Sequence, residues 1–457
     1  MRAFYFLLFL ATTAMIEAVS SKPTAIVIGG GMAGVSSARS LHNNGYEVRI
    51  LEGRDRLGGR MWSFDGGVGF GTMDLGAAWI HGIKKNPLTN LAKRGKAKRV
   101  RTNYESALNV MFDSSSSQYL PPRLVGKIYK EYSAIVSKGI ERMQGSTIID
   151  MDLQTAIRQI LSNAGNRVKY LKSEKWLRLV TQDLYDLQYA APTSDLSLWW
   201  FDDDKATSGA DVLFPNGMWQ LGEVVLPKEV TIHLCTTVTK IQSNGDSTTV
   251  FTDNGNFVAD AVVVTVPLGC LQANTIAFEP ALSNTFKNAL GKRKMGIYNK
   301  VLLRFPKQWW PKRHFFTAIS KNGSIPPFQE FLNAQYVSKK PILVAFSSGD
   351  TAKSLEDLSD SEIVLIAMKQ LREMFPKISI PEPMSHLITR WNSDPFSRGS
   401  YSFNKLGVNP DTDFRDILTT HGGRVQFAGE HTNRDYFGTV LGAYYSGISA
   451  AKRILGD

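Results

Sequence analysis

Gly29, Gly31 and Gly34 stand at GxGxxG spacing directly after the apolar run Ala25–Ile28. Each glycine has its own job. The first permits a tight turn out of a strand. The second lets the backbone approach a pyrophosphate without a Cβ in the way, and the third lets a helix pack close to the strand. Glu52 closes a second apolar segment, Glu47–Leu51. A carboxylate there can accept hydrogen bonds from both hydroxyls of a ribose. Arg56-Leu57-Gly58-Gly59-Arg60 follows, with paired glycines for close backbone approach and arginines for charge-assisted contacts to phosphate. Together these residues can hold a phosphate-linked dinucleotide. No Cys/His set has metal-ligand spacing, so no metal is expected.

The elements that must carry them can be read in order. A helix from Ala33 to about Asn43, ended by Gly45, joins the two strands and offers its N-terminus to phosphate. Phe70–Ile83 is rich in small residues, which suits a backbone running past a planar ligand. From Thr102 to about Trp200 glycine thins out, and Leu124–Met143, Leu153–Leu161 and Tyr170–Tyr189 take helical spacing. Ser114–Ser117 reads as a loop, and Asp202–Asp204 as a solvated turn or as negative potential near a channel mouth. The chain returns at Phe214–Met218. It continues in strands at Val230–Leu234, Val238–Gln242, Ser247–Thr252 and Ala259–Val266, with hairpin turns at Asn244-Gly245 and Asn254-Gly255. A second β-rich region takes in Gly296–Phe305, Phe315–Ile319, Phe328–Asn333 and Pro341–Phe346, before a helix at Glu362–Phe375. Ser385–Trp391 reads as a strand. Val425–Thr432 delivers a last strand, and a helix from about Val440 runs to the end. By residue type alone, Lys300 reads as the exposed face of a strand and His81 as a polar core or rim residue.

Several of these stretches together resemble the flavin-containing amine oxidases, and among them the polyamine oxidases. The resemblance rests on ExRDRLGGR from Glu52, on Gly76-Ala77-Ala78-Trp79-Ile80-His81-Gly82 and on Thr265-Val266-Pro267-Leu268-Gly269. It also rests on Gly296-Ile297-Tyr298-Asn299-Lys300, on Trp391 through Tyr401, and on Ala428-Gly429-Glu430-His431-Thr432. It implies an α/β (mixed α+β) protein in which a Rossmann-like FAD-binding domain is interleaved with a substrate-binding domain of mixed sheet plus helices. The FAD-binding segments would be 24–100, 210–290 and 385–457, and the substrate-binding segments 101–209 and 291–384. Noncovalent FAD would be held by Gly29, Gly31, Gly34, Glu52, Arg60, Gly76, Ala77, Ala78, Trp79, Val238, Trp391, Glu430, Thr439 and Val440. Lys300 would position a water at flavin N5. His81 would meet a distal amine or tune its protonation, and Tyr298 and Phe403 would hold the aliphatic chain. Thr439 stands where several relatives place a tyrosine as a second aromatic wall and others a small residue. The implied reaction is oxidation of spermine, thermospermine or spermidine with O₂, by hydride transfer to flavin N5, giving an aldehyde, a shorter amine and H₂O₂. An L-amino-acid oxidase would need an arginine for the substrate carboxylate, and none can be placed. A non-catalytic flavin- or polyanion-binding protein is the alternative from another class.

A chain of 457 residues with 43% hydrophobic content can build the large core such domains need. Its net charge of +12 suits acidic surfaces and opposes a polycation at long range, so a locally acidic channel is expected, with Asp183, Asp186 and Asp202–Asp204 as its candidate residues. Lys93, Arg94, Lys96, Lys98, Arg99 and Arg101 form a solvated basic face or a contact for acidic cell-surface polymers. No aromatic residues interleave with them, so nucleic acid is not an expected partner. Met1–Ser20 reads as a secretory signal. Its apolar run, Phe4–Ala14, is too short to span a bilayer, and no later stretch is a candidate span. Secretion is the expectation, with a secretory-pathway compartment or vacuole as the alternative, and a monomer or weak dimer as the state. Cys235 and Cys270 read as buried free thiols, with one disulfide between them as the alternative, and Asn322-Gly323-Ser324 as a glycosylation triplet.

Overall fold

The computed structural model describes residues 22–103, 111–113, 118–319, 324–419 and 421–456. The expected leader at 1–20, the expected loop at 114–117 and Asn322 lie outside the described residues.

Two sheets organise the chain. The first has five strands, all parallel, in the order Thr231–His233, Glu47–Leu51, Thr24–Ile28, Ala261–Val264 and Val425–Phe427. Its central strands are near-continuous apolar runs because helices or further sheet cover both faces. The first helix, Met32–Asn43, and the C-terminal helix, Val440–Leu455, pack together on one face. Their backbones nearly touch. A Cβ on Gly447 would sit 2.1 Å from the Ala33 carbonyl oxygen, and Ser36 Oγ donates to the Tyr444 carbonyl at 3.0 Å. On the other face lies a four-stranded sheet of Gly255–Ala259, Thr248–Thr252, Val238–Ser243 and Ala277–Glu279. The expected strand Ala259–Val266 is in fact two strands. Asp260 breaks it by turning its carboxylate onto the Thr24 N–H and hydroxyl.

The second sheet has seven strands, in the order Ser385–Ile388, Tyr298–Arg304, Ile342–Ser348, Glu330–Asn333, Phe315–Ile319, Met111–Asp113 and Gln118–Tyr119. All its pairs are antiparallel except Phe315–Ile319 with Met111–Asp113. One face packs on the helix Asp360–Met374, which starts in a Ser359/Glu362 capping box. The other face carries Tyr298, Lys300, Phe346 and Glu330, since residues opposite one another in antiparallel strands share a side. Ser385–Ile388 pairs with the Lys300 strand, so this part of segment 385–457 belongs to the second sheet rather than to the parallel one. Apolar spacing identifies a strand but carries no record of its neighbour, which explains the difference.

A helical unit covers one end of the second sheet. Its helices Pro122–Tyr132, Leu153–Ala164 and Glu174–Thr181 share a core with Leu198, Phe201 and Phe403. Among the described residues no helix is long and apolar enough to cross a membrane.

Candidate active site

The dinucleotide cradle takes shape from its backbone. Gly29 has φ +101°, and its N–H donates to the Leu51 carbonyl at 2.8 Å, which turns the chain out of the first strand. A Cβ on Gly34 would lie 2.0 Å from the Gly29 carbonyl oxygen, so helix and strand meet only because it is absent. Gly31 differs. A Cβ there meets nothing nearer than the Gly58 oxygen at 3.9 Å, so that side of the residue is open. Gly31 is also the N-cap of the first helix, and no side chain caps it. The free N–H groups at that end are left to an anion. Gly58 and Gly59, at φ +99° and +54°, bring the second loop against the first, with the Gly58 N–H donating to the Gly30 carbonyl at 3.0 Å.

Glu52 is buried beside this turn. Its Oε2 accepts from the Gly30 N–H at 2.7 Å and its Oε1 from the Arg54 N–H at 2.9 Å, which leaves lone pairs on both oxygens for a ribose. Its backbone carbonyl accepts from the Thr236 N–H, so the loop leading to Val238 lies against it. Arg54 then grips Asp394 in a two-pronged pair at 2.9 and 2.8 Å, joining this loop to the turn after Trp391. Arg56 lies over the Trp62 ring at 4.4 Å, and Trp62 meets Trp391 edge-on at 6.2 Å.

The far end of the chain supplies a second polar knot. Glu430 Oε1 accepts from Arg60 at 2.8 Å, while Oε2 accepts from the Ser402 hydroxyl at 2.6 Å and the Gly438 N–H at 2.8 Å. Burial alone would raise this carboxyl, but Arg60 and Ser402 outweigh it and the group is held at about 2. Arg293 supports the knot from behind, donating to Ser402 Oγ at 3.0 Å from between the rings of Phe414 and Phe437. Thr439 caps the C-terminal helix. Its hydroxyl accepts from the Gly442 N–H at 3.0 Å, so it starts the helix at Val440.

Lys300 is buried, at 5% exposure, contrary to what a strand lysine suggests by type. Its Nζ donates to the carbonyls of Asp74 at 2.8 Å and Gly76 at 2.6 Å and lies 5.8 Å from the Trp79 ring. One N–H of the ammonium is left without a protein acceptor among the described residues. Burial pushes the amine down to about 8, with the Asp74 charge opposing. Gly76 is held against Arg60, since the Ala77 N–H donates to the Arg60 carbonyl at 3.0 Å. The flavin-family stretch 76–79 therefore links the cradle to Lys300.

Aromatic rings surround Lys300. Phe346 lies 6.2 Å from Trp79 and 5.4 Å from Tyr298, and Tyr298 lies 6.3 Å from Tyr401. His81 is exposed, stacked on Trp79 at 6.3 Å, with Nδ1 2.9 Å from Asp211 Oδ2. Phe403 is only 1% exposed and is enclosed in the core of the helical unit. The ring with free surface on its side of the strand is Tyr401, whose hydroxyl donates to the Leu187 and Gln188 carbonyls. The period of two along Tyr401–Asn404 is the signal that could have found it. Arg293, Asp394 and Asp74 were also missed, because each acts through a partner distant in sequence. Cys235 is exposed in a left-handed turn, whereas Cys270 is buried as expected, and both are free thiols.

Residues 32–455 match the family described as flavin containing amine oxidoreductase. Polyamine oxidase 4 of Oryza sativa subsp. japonica is 34% identical over 450 residues, covering 95% of this chain and 90% of the relative. Polyamine oxidase 2 of Arabidopsis thaliana is 33% identical over 443 residues, covering 94% and 87%. Lysine-specific histone demethylase 1 homolog 1 of Arabidopsis thaliana is 32% identical over 446 residues, but only 52% of that relative is covered. The open backbone at Gly31, the carboxylate of Glu52 and the uncapped helix N-terminus fit the adenosine diphosphate portion of FAD. The chain belongs to the flavin-containing amine oxidase family and is an FAD-dependent amine oxidase.

Proposed function

We propose that the protein is a polyamine oxidase acting on spermine-, thermospermine- or spermidine-type amines, with FAD held noncovalently. The observation that carries this reading is Lys300, buried on the sheet face between Trp79, Tyr298 and Phe346 with one N–H to spare. FAD, when bound, accepts a hydride equivalent from an amine carbon and returns the electrons to O₂. The chain's own residues do the rest. Lys300 holds a water at the reacting end. Tyr298 and Tyr401 offer flat apolar surface to methylene groups, while Phe403 is enclosed in the core of the helical unit. His81, exposed and paired with Asp211, meets an outer amine at the rim. Val238, Trp391, Glu430, Thr439 and Val440 hold or shape the cofactor's surroundings.

The reading extends to location. Met1–Ser20 directs secretion, and the basic residues Lys93, Arg94, Lys96, Lys98, Arg99 and Arg101 offer a landing face for acidic polymers outside the cell. All six are exposed and none forms an ion pair among the described residues. The test of function is product identification by chromatography after incubation with spermine, thermospermine and spermidine in turn. An aldehyde, a shorter amine and H₂O₂ from at least one of them is expected. No turnover of any would overturn the reading.

A further inference from the structure

Glu330 stands directly across from Phe346, and Phe346 directly across from Lys300. The three form one row on one face of the sheet, with Glu330 two strand spacings, about 10 Å, from Lys300. Thr317 extends the row by one strand. Glu330 is 9% exposed, and its carboxylate has no hydrogen-bond or ion-pair partner among the described residues. The Thr317 hydroxyl, 1% exposed, also lacks a partner. Two adjacent polar groups are thus buried on the active face with nothing from the protein to satisfy them, a costly arrangement unless a ligand supplies the missing contacts.

Asp183, from the helical unit, is the charged group whose field reaches Glu330. It lies in a single π turn, Gln182–Asp186, a local widening that re-aims side chains and recurs at functional sites. Its Oδ2 accepts from the Tyr129 hydroxyl at 2.7 Å. Burial, with the Asp183 charge adding to it, pushes Glu330 up to about 8, and burial raises Asp183 as well. No lysine, arginine or histidine among the described residues pairs with either carboxylate. Burial disfavours the charged form of each carboxyl, and an arriving cation favours it.

We propose that Asp183, Glu330 and Thr317 form an anionic subsite for the distal ammonium of a multiply charged amine whose reacting end lies beside Lys300. This rests on the polyamine reading and adds the residues that select for a second charge. Phe346, 1% exposed between Trp79 and Tyr298, is the apolar residue that separates the two ends of the row. The subsite also supplies the local negative charge that a protein of net +12 needs to hold a polycation.

Octane-1,8-diamine and octylamine, titrated into the FAD-loaded protein and followed by calorimetry, test it without requiring turnover. The diamine should bind at least about 10-fold tighter, as a charge-assisted contact to a buried carboxylate implies. Glu330→Gln should erase that preference while octylamine binding stays within about twofold. Asp183→Asn should reduce the preference in the same way, and it serves if the first variant does not fold. A wild-type protein without the preference, or variants that retain it, would overturn the subsite. Spermine oxidation by the unaltered protein, measured in parallel, tests the polyamine reading separately. A protein that prefers the diamine yet leaves spermine untouched keeps the subsite and loses the polyamine assignment.

Discussion

Alanine at Gly31 and alanine at Gly34 should fail for different reasons. At Gly34 the new Cβ would lie 2.0 Å from the Gly29 carbonyl oxygen, a backbone atom that no rotamer change can move. Helix and strand must separate by at least about 1 Å to restore ordinary contact, and overpacking of that kind costs about 1–3 kcal/mol. The gain in helix propensity, about 1 kcal/mol, offsets part of it. The apoprotein of Gly34→Ala should therefore unfold several degrees below wild type. At Gly31 the nearest atom is 3.9 Å away and φ is −78°, a conformation alanine accepts. Apoprotein stability should hold or rise by up to about 1 kcal/mol. The methyl group instead occupies the space for pyrophosphate at the helix N-terminus, and FAD affinity should fall about 10- to 100-fold, or about 1.4–2.7 kcal/mol. Thermal denaturation of the apoproteins and fluorescence titration with FAD read the two effects apart. If Gly31→Ala loses as much apoprotein stability as Gly34→Ala, or binds FAD like wild type, the assignment of separate roles is wrong.

Lys300→Met should keep FAD bound while flavin reduction or reoxidation slows by an order of magnitude or more in stopped-flow measurements. Unchanged rates of both would remove Lys300 from the reaction. The same residue has a pH signature. Burial lowers its amine to about 8, whereas in the unfolded chain it titrates near ~10.4. Between those values the unfolded chain binds more protons, so apoprotein stability should gain from this group as pH rises. Denaturant midpoints from pH 8 to 10 should show a rise that Lys300→Met flattens. Glu430 works in the opposite sense. Its carboxyl is held at about 2, against an ordinary value near ~4.3, so its contribution is present above that ordinary value and is lost as pH falls towards 2. Glu430→Gln should blunt acid denaturation in that window and weaken FAD binding, and an unchanged acid limb would refute the ion-pair account.

How much of this was legible beforehand depended on whether a residue's role is local. The turn at Gly29, the close approach at Gly34 and the strand ending at Glu52 are set by neighbours within one supersecondary unit, and their spacing reports them. The C-terminal helix begins at Val440 because Thr439 is its cap, again a local cause. Lys300 shows the limit. Its apolar neighbours marked a strand, but which side of the sheet would be covered depends on Asp74 and Gly76, far away in the chain. Phe403 and Tyr401 share a strand and differ in exposure because Phe403 lies inside the core of the helical unit, whereas Tyr401 touches that unit through its hydroxyl. Glu330 and Asp183 carry no motif at all. Glu330 takes its place from a cross-strand row and Asp183 from a π turn, neither of which apolar periodicity encodes.

The central claim is that Lys300 and its aromatic surroundings serve amine oxidation by bound FAD, with a polyamine as the substrate. Anaerobic mixing of the purified FAD-loaded protein with spermine, and separately with leucine, tests it most directly. Spermine should bleach the absorbance of the oxidised flavin within seconds, while leucine leaves it unchanged, and admitting O₂ should restore the colour with release of H₂O₂. Bleaching by leucine, or by neither amine, would contradict the account.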